Sequence, residues 1–354
     1  MQGRIKDYLK EKQLDAVLVA DGFNMQYLSG FTGATGYLYM TKSRRVILTD
    51  SRYTLQAMEE GAGCEVIEIS REEGYPEKLK KLVEEDRVQV WGFEDEAMLY
   101  ADVERLKKAL PVENWEPAGG SLSFLRRIKS PEEIARMTKA QEITDRAFAY
   151  ILEELKPGVT ELEIAAKLEF WMKTHGAEDM AFASVIASGI HSSMPHATPS
   201  RKKLEPGDFI TMDFGARYEG YCSDMTRTVV LGKASEKQKE IYRIVLEAQM
   251  AGLAAVRAGI PGAEADRAAR SVIEQAGYGE CFGHALGHSV GLEVHERPSL
   301  SPKDTTVLRA GMIETVEPGI YVPGFGGVRI EDMVVVTEEG CQNLTRSHKE
   351  LIEL

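Results

Sequence analysis

Four carboxylates and one histidine lie inside apolar, strand-forming stretches of the C-terminal half of this chain, and few folds can tolerate them there unpaired. They are Asp213 and Asp224 in MDFGARYEGYCSDMTRT (212–228), His288 in GHALGHSVGLEVHE (283–296), and Glu317 and Glu331 in ETVEPGIYVPGFGGVRIED (314–332). A carboxylate buried alone takes up a proton or finds a cation, because desolvating the charge is too costly otherwise. Two hairpins and a glycine-rich loop would bring all five side chains into one pocket. Five such donors suit a pair of divalent cations.

The aspartate spacing converts directly into geometry. Met212–Phe214 and Thr226–Val230 read as strands, with Arg217–Gly220 as the turn between them. Pairing about the midpoint of Tyr218 and Glu219 sets Asp213 directly opposite Asp224, with Cβ atoms about 4.5–5.5 Å apart. Like charges that close repel, so a cation is required between them. The nearby Arg227 alternates onto the opposite face. Ile313–Val316 and Val328–Val336 read as a second pair of strands, separated by the turn and bulge residues Pro318-Gly319, Pro323-Gly324 and Gly326-Gly327. A period of two puts Arg329 and Glu331 on one face.

His284 and His288 are four apart, as in a helical HExxH zinc site, but Gly283, Gly287 and Gly291 argue against a helix. The segment reads as a loop or strand edge, with His288 the ligand, His295 a group that either supports the ligands or acts in catalysis, and His284 a less favoured supporting group. Each motif alone is ordinary, since 56 of the 354 residues are Asp or Glu. The conjunction, in the order Asp, Asp, His, Glu, Glu, is what points to a metal site.

These residues resemble the pita-bread metallopeptidases, the family of methionine aminopeptidase, prolidase and Xaa-Pro aminopeptidase (aminopeptidase P). MDFG with a second Asp eleven residues later, GHSVGLEVHE, EPGIY and GVRIED all match the proline-specific branch, and the resemblance covers nearly the whole chain. It implies that Asp213, Asp224, His288, Glu317 and Glu331 hold two metal ions. It further implies that His196, in MPHATPS, and His295 act on the substrate side, and that Tyr321 and Arg329 support the site. No ligand is missing, in contrast to creatinase and to non-catalytic chaperone relatives of the same fold.

Net charge is −13, which argues against nucleic acid and anionic membranes as partners. No apolar run approaches the roughly 18 residues of a membrane span, and MQGRIKDYLKEKQ lacks a signal-peptide core. The expected location is the cytoplasm. Cys64, Cys222, Cys281 and Cys341 are far apart with no CxxC pair, and read as free thiols. Cys222 sits beside the aspartate hairpin, where a structural role competes with that of a ligand.

The chain divides near residue 125. Before it, β-like runs (Ala16–Ala20, Tyr37–Thr41, Val46–Thr49, Val66–Ile69, Val88–Phe93) alternate with amphipathic ones (Tyr53–Glu60, Glu77–Asp86), predicting an α/β domain over 1–124. Tyr27–Gly36 lacks GxxxxGK and reads as a turn. With Thr49–Ala57 it resembles the N-terminal domain of aminopeptidase P more than that of prolidase. The remainder, 125–354, is predicted to be an α+β pita-bread domain. Ser130-Pro131-Glu132-Glu133 forms a capping box opening a helix to about Leu155, Thr160–Glu163 repeats it, and helices follow at Ser235–Val256 and Ala263–Ala276. Two helix pairs, each leading toward a hairpin, hint at an internal duplication.

The four carboxylates offset two dications and leave a bridging water that is easily deprotonated to an attacking hydroxide. Oxygen-rich ligation with one imidazole favours Mn, with Co, Fe or Zn as alternatives. Glu317 is assigned the water proton, and His295 and His196 the oxyanion and substrate position. A bond preceding proline has no N–H, and a site that polarises the carbonyl directly does not need one. The resemblance thus implies an enzyme removing the N-terminal residue before proline from proline-containing peptides, with prolidase, which takes Xaa-Pro dipeptides, as the alternative. It also implies a homodimer. A methionine aminopeptidase fits less well with a preceding domain of this size, and a peptide-binding module with a dead site would lack metal.

Overall fold

The computed structural model describes residues 2–354. Contacts divide the chain into two compact units, one ending at Arg126 and the other beginning at Arg127.

The first unit is a mixed sheet flanked by helices. Its strands are β1 (Ala16–Val19), β2 (Tyr37–Thr41), β3 (Arg45–Thr49), β4 (Glu65–Glu68), β5 (Val90–Phe93) and β6 (Asn114–Pro117), in the spatial order β4-β3-β2-β1-β5-β6. Its helices are α1 (Gln2–Glu11), α2 (Gly22–Ser29), α3 (Thr54–Glu60), α4 (Tyr75–Asp86) and α5 (Tyr100–Ala109). β1, with the sequence AVLV, is buried along its whole length, as a central strand covered on both faces must be. Tyr27–Ser29, expected to be part of a turn, is instead the last turn of α2. Asp21 caps that helix by accepting from the Asn24 N–H at 2.7 Å, and Gly30 ends it at φ +86°. β6 escaped the pattern reading because it is an exposed edge strand without alternation.

The second unit repeats one theme twice. Helices α6 (Pro131–Leu152) and α7 (Glu161–Thr174) accompany an antiparallel sheet of β8 (Val185–Ser188), β9 (Phe209–Phe214) and β12 (Met225–Val230). The short β7 (Asp179–Met180), β10 (Ala216–Tyr218) and β11 (Tyr221–Cys222) form a second small sheet. Helices α8 (Glu236–Ala255) and α9 (Gly262–Gln275) then accompany β13 (Gly287–Ser289), β14 (Glu296–Leu300), β15 (Ile313–Val316), β18 (Asp332–Val336) and β19 (Cys341–Asn343). β16 (Gly319–Val322) and β17 (Gly326–Arg329) pair separately.

Capping boxes start α6, α7 and α8 through Ser130/Glu133, Thr160/Glu163 and Ser235/Gln238. Each half has its own core. Phe148, Ile164, Leu168, Ile210 and Met212 fill the first, and Ile241, Val245, Ala269, Val316 and Val334 the second. Among the described residues, no helix is long and apolar enough to cross a membrane.

The aspartate hairpin differs from the sequence expectation by two residues of register. Tyr218 pairs with Tyr221, and Asp213 with Thr226, so the hairpin turns at Glu219-Gly220. Both turn residues have positive φ, +45° and +79°, the two-residue I′ geometry that matches strand twist. Asp224 therefore falls opposite Gly215 rather than Asp213. Because the shift is an even number, the two aspartates keep the same face.

The second hairpin is also interrupted. β15 with β18 and β16 with β17 share one continuous register, Val316 against Asp332 and Gly319 against Arg329. The break falls at Glu317-Pro318 and Ile330-Glu331, so the expected strand Val328–Val336 is two strands. Extending the register by one residue sets Glu317 opposite Glu331.

Candidate metal centre

The two hairpins and β13 converge on a cavity of about 450 Å³. Asp213, Asp224, His288, Glu317 and Glu331 all line it, joined by His196, His284, His295 and Arg329. Asp224, His288 and Glu331 each offer one donor atom within 4.8 Å of the other two. His288 lies on β13, a strand at a β-bulge rather than a helix. Its Nδ1 donates to the Ser289 carbonyl at 3.1 Å, which leaves an unprotonated Nε2 aimed inward. That Nε2 stands 3.3 Å from Glu317 Oε1 and 3.6 Å from Asp224 Oδ2. Burial, with His295 adding to it, pushes the His288 imidazole down to about 3, so it is neutral at physiological pH. A lone pair facing carboxylate oxygens at these distances calls for a proton or a cation between them.

The carboxylates say the same. Burial raises Asp224 well above the ordinary carboxylate range, and Glu331, Asp213 and Glu317 raise it further. Burial likewise raises Glu331 well above its usual value, reinforced by Glu317 and Asp213. Glu317 is pushed up to about 8, chiefly by burial, with Asp213 adding and Arg329 opposing. Asp213 Oδ1 and Asp224 Oδ1 are buried without a hydrogen-bond partner. Unsatisfied buried oxygens are costly, and divalent cations are what this donor set fits.

Arg329 is the fully desolvated cation of the wall. It pairs with Asp213 Oδ2 at 2.6 Å and donates to the Tyr321 hydroxyl at 2.7 Å, to Thr226 Oγ1 at 3.0 Å and to the Pro195 carbonyl at 3.2 Å. Tyr321 lies behind this wall rather than on it, and its hydroxyl donates to His284 Nε2 at 2.9 Å. His284 Nδ1 donates to the Ala285 carbonyl at 2.8 Å, so both ring nitrogens are committed and neither is free to ligate. Cys222 Sγ is turned to the Leu292 carbonyl at 3.5 Å and does not line the cavity. Burial pushes its thiol up to about 12, so it stays protonated. His196 and His295 are exposed at the cavity mouth. Arg227 points away, as alternation predicts, and pairs with buried Asp332 at 2.8 Å.

Two hydroxyls escaped the sequence reading. Thr226 accepts from Arg329 Nε and donates to Glu331 Oε2 at 2.7 Å, and Thr315 donates to Glu317 Oε1 at 3.1 Å while accepting the His288 N–H at 3.1 Å. The signal was present, since each sits two residues from a carboxylate on the same strand face. Nothing in the pattern singled out the apolar wall of Phe182, Val185, Pro195 and Val294.

Residues 135–338 match Metallopeptidase family M24 and residues 2–128 the Creatinase/Prolidase N-terminal domain. The chain is 42% identical over 351 residues to an Xaa-Pro dipeptidase of Pyrococcus horikoshii, covering 99% of this chain and 97% of the relative. Among solved structures it is similar to an Xaa-Pro dipeptidase from Bacillus anthracis, at 43% identity and TM-score 0.96, covering 100% of this chain and 99% of that one. It is also similar to an X-Pro aminopeptidase from Thermotoga maritima, at 39% identity and TM-score 0.90, covering 97% and 98%. The paired helices and hairpins of the second unit, the metal-type donors they gather and these full-length likenesses agree: the chain belongs to metallopeptidase family M24, the pita-bread Xaa-Pro peptidases, and is a metallo-exopeptidase.

Proposed function

We propose that this protein is an Xaa-Pro dipeptidase. The observation that carries it is the gathering of five metal-type donors into one cavity with an apolar wall. Dipeptide length is supported by the relatives named for that activity, similar at 42% and 43% identity over nearly the whole chain. This replaces the aminopeptidase P reading suggested by Tyr27–Gly36 and Thr49–Ala57. Removal of the residue before proline from longer peptides is the second reading, supported by the likeness to the X-Pro aminopeptidase.

Asp213, Asp224, His288, Glu317 and Glu331 would hold two divalent cations, with Mn favoured by a set of oxygens and one imidazole. When bound, the cations supply Lewis acidity, polarising the scissile carbonyl and acidifying water. Glu317 receives the proton of the attacking water at an Oε and passes it to the departing proline nitrogen. His295 and His196, at the mouth, position the carbonyl and stabilise its developing negative charge. Phe182, Val185, Pro195 and Val294 shelter the proline ring from water. Arg329 neutralises Asp213 and fixes it in place.

A substrate panel tests this directly. With Mn added, Ala-Pro should be cleaved and Ala-Pro-Ala and Ala-Ala-Ala spared. Cleavage of Ala-Pro-Ala at a comparable kcat/KM would move the protein to the aminopeptidase reading.

A further inference from the structure

His196 sits on a thirteen-residue segment, SGIHSSMPHATPS (188–200), whose two ends are grasped by one carboxylate. Glu161, the first residue of α7, is fully buried. Its Oε1 accepts the Ser188 N–H and the Ser188 hydroxyl, both at 2.8 Å. Its Oε2 accepts the Ser200 N–H at 3.0 Å and the Ser200 hydroxyl at 2.7 Å, with His191 Nδ1 at 3.3 Å. Backbone bonds complete the clasp, because the Glu161 N–H donates to the Lys202 carbonyl and the Leu162 N–H to the Ser200 carbonyl.

Both oxygens of this carboxylate are saturated by donors of the segment, four at its two feet and one at His191 inside it. That is the reverse of the orphaned oxygens on Asp213 and Asp224. Burial pushes the Glu161 carboxyl up, but the bonds from Ser200, Ser188 and His191 outweigh it and hold the group below its usual range. It stays charged, which doubles the strength of bonds to both feet relative to a neutral acceptor. The interior of the segment is held as well, with a short 3-10 helix over Gly189–Ser193 and with Ser192 and Ala197 buried. Ser192 Oγ accepts the Gly327 N–H at 2.8 Å, and the Pro195 carbonyl accepts from Arg329 at 3.2 Å. His196 itself is exposed.

We propose that Glu161 is a positioning residue: by closing the 188–200 segment at both feet it holds His196 at the mouth of the cavity, and so tunes substrate binding without touching substrate or cation. Ordering a segment of this length costs loop entropy, and the buried carboxylate helps meet that cost in the folded protein before substrate arrives. The inference rests on the proposed substrate-side role of His196.

The test compares Glu161→Gln, Glu161→Ala, His196→Ala and the double variant Glu161→Gln/His196→Ala in the Mn-loaded full chain. The glutamine variant keeps the size of the side chain if the alanine variant fails to fold. Three quantities are read: cation content per chain, the rate of limited proteolysis within 188–200, and KM and kcat for Ala-Pro. The Glu161 variants should keep their cations, be cut faster in the segment and raise KM roughly ten-fold, since a displacement of about 1 Å at a positioned group has effects of that order or larger. In the double variant, Glu161→Gln should add almost nothing to the loss already caused by His196→Ala. Fully additive losses, or a loss of cations from the Glu161 variants, would overturn the proposal. Unchanged kinetics in the Glu161 variants, with His196→Ala impaired, overturns it alone. Unchanged kinetics in His196→Ala removes the substrate-side reading of that histidine and the proposal with it.

Discussion

Asp224 and Glu331 are buried carboxylates whose surroundings favour the protonated form, yet they stand beside a neutral imidazole with its lone pair turned toward them. Glu161, equally buried, is ringed by N–H and O–H donors and stays charged. The contrast separates carboxylates left short of donors from one whose two oxygens are fully met by them. Glu331→Gln should therefore lose bound metal and hydrolysis together, which metal analysis of the purified variant reads. Retention of two cations per chain with full activity would contradict the ligand assignment. His295→Ala should behave differently, keeping its metal while losing turnover by roughly 10²–10⁴-fold, as for an acid–base or oxyanion group. If that variant loses metal while His288→Ala keeps it, the two histidines have exchanged roles.

The elements that carry these residues are held at distances that tolerate no extra atom. A Cβ on Gly287 would meet the Thr315 carbonyl oxygen at 1.9 Å, between β13, which bears His288, and β15, which leads to Glu317. The obstacle is backbone, so the strands must separate. Gly287→Ala should cost about 1–3 kcal/mol of stability by overpacking and weaken cation binding roughly 10–100-fold by disturbing the supports of the ligands. Gly283, four residues earlier, has open space where its Cβ would be, so Gly283→Ala is the matched control and should leave both unchanged. Equal effects in denaturant melts and metal titrations of the two variants would show that close approach of β13 is not what matters.

At the scale of the molecule, the metal site and stability are linked through protons. Burial raises Asp224 and Glu331 well above their ordinary values and Glu317 to about 8 in the absence of cations. A carboxyl with its folded pKa above its unfolded one stabilises the fold fully below the unfolded value, near 4, and loses that contribution as pH rises through the folded value. The chelated protein should thus become less stable between about pH 4 and pH 8. Bound cations reverse this, because they bind the folded state selectively and compete with protons. The gap in Tm between Mn-loaded and chelated protein should widen from pH 5 to pH 8. Asp332 acts in the opposite sense: burial raises it, but Arg227 and Lys349 together hold it below its usual value, so its contribution is lost only in acid, below about pH 4. A Tm gap that stays constant or narrows with rising pH would mean that cation binding does not displace protons from this site.

The strand character around the candidate ligands, the capping boxes of α6 and α7, and the face shared by Arg329 and Glu331 were legible in the amino-acid sequence. Each depends on residues within a few positions of one another, where periodicity and hydrogen-bond reach act. The two-residue register of the aspartate hairpin was not, because turn placement depended on positive φ at Glu219, a residue with no strong preference for it. The break of the expected strand Val328–Val336 at Ile330-Glu331 was equally hidden. Hidden too was the commitment of both His284 nitrogens, of Thr226 between Arg329 and Glu331, and of Glu161 to both feet of the 188–200 segment. Thr226 reaches Glu331 and Arg329 across the two halves of the second unit, while His284 reaches Tyr321, and Glu161 reaches Ser188 and Ser200, across 37, 27 and 39 residues of one half, so these contacts form only once the chain has folded. Local pattern thus marked the strands and helix starts that carry the candidate site, and tertiary contact decided which atoms of its residues remain free to act.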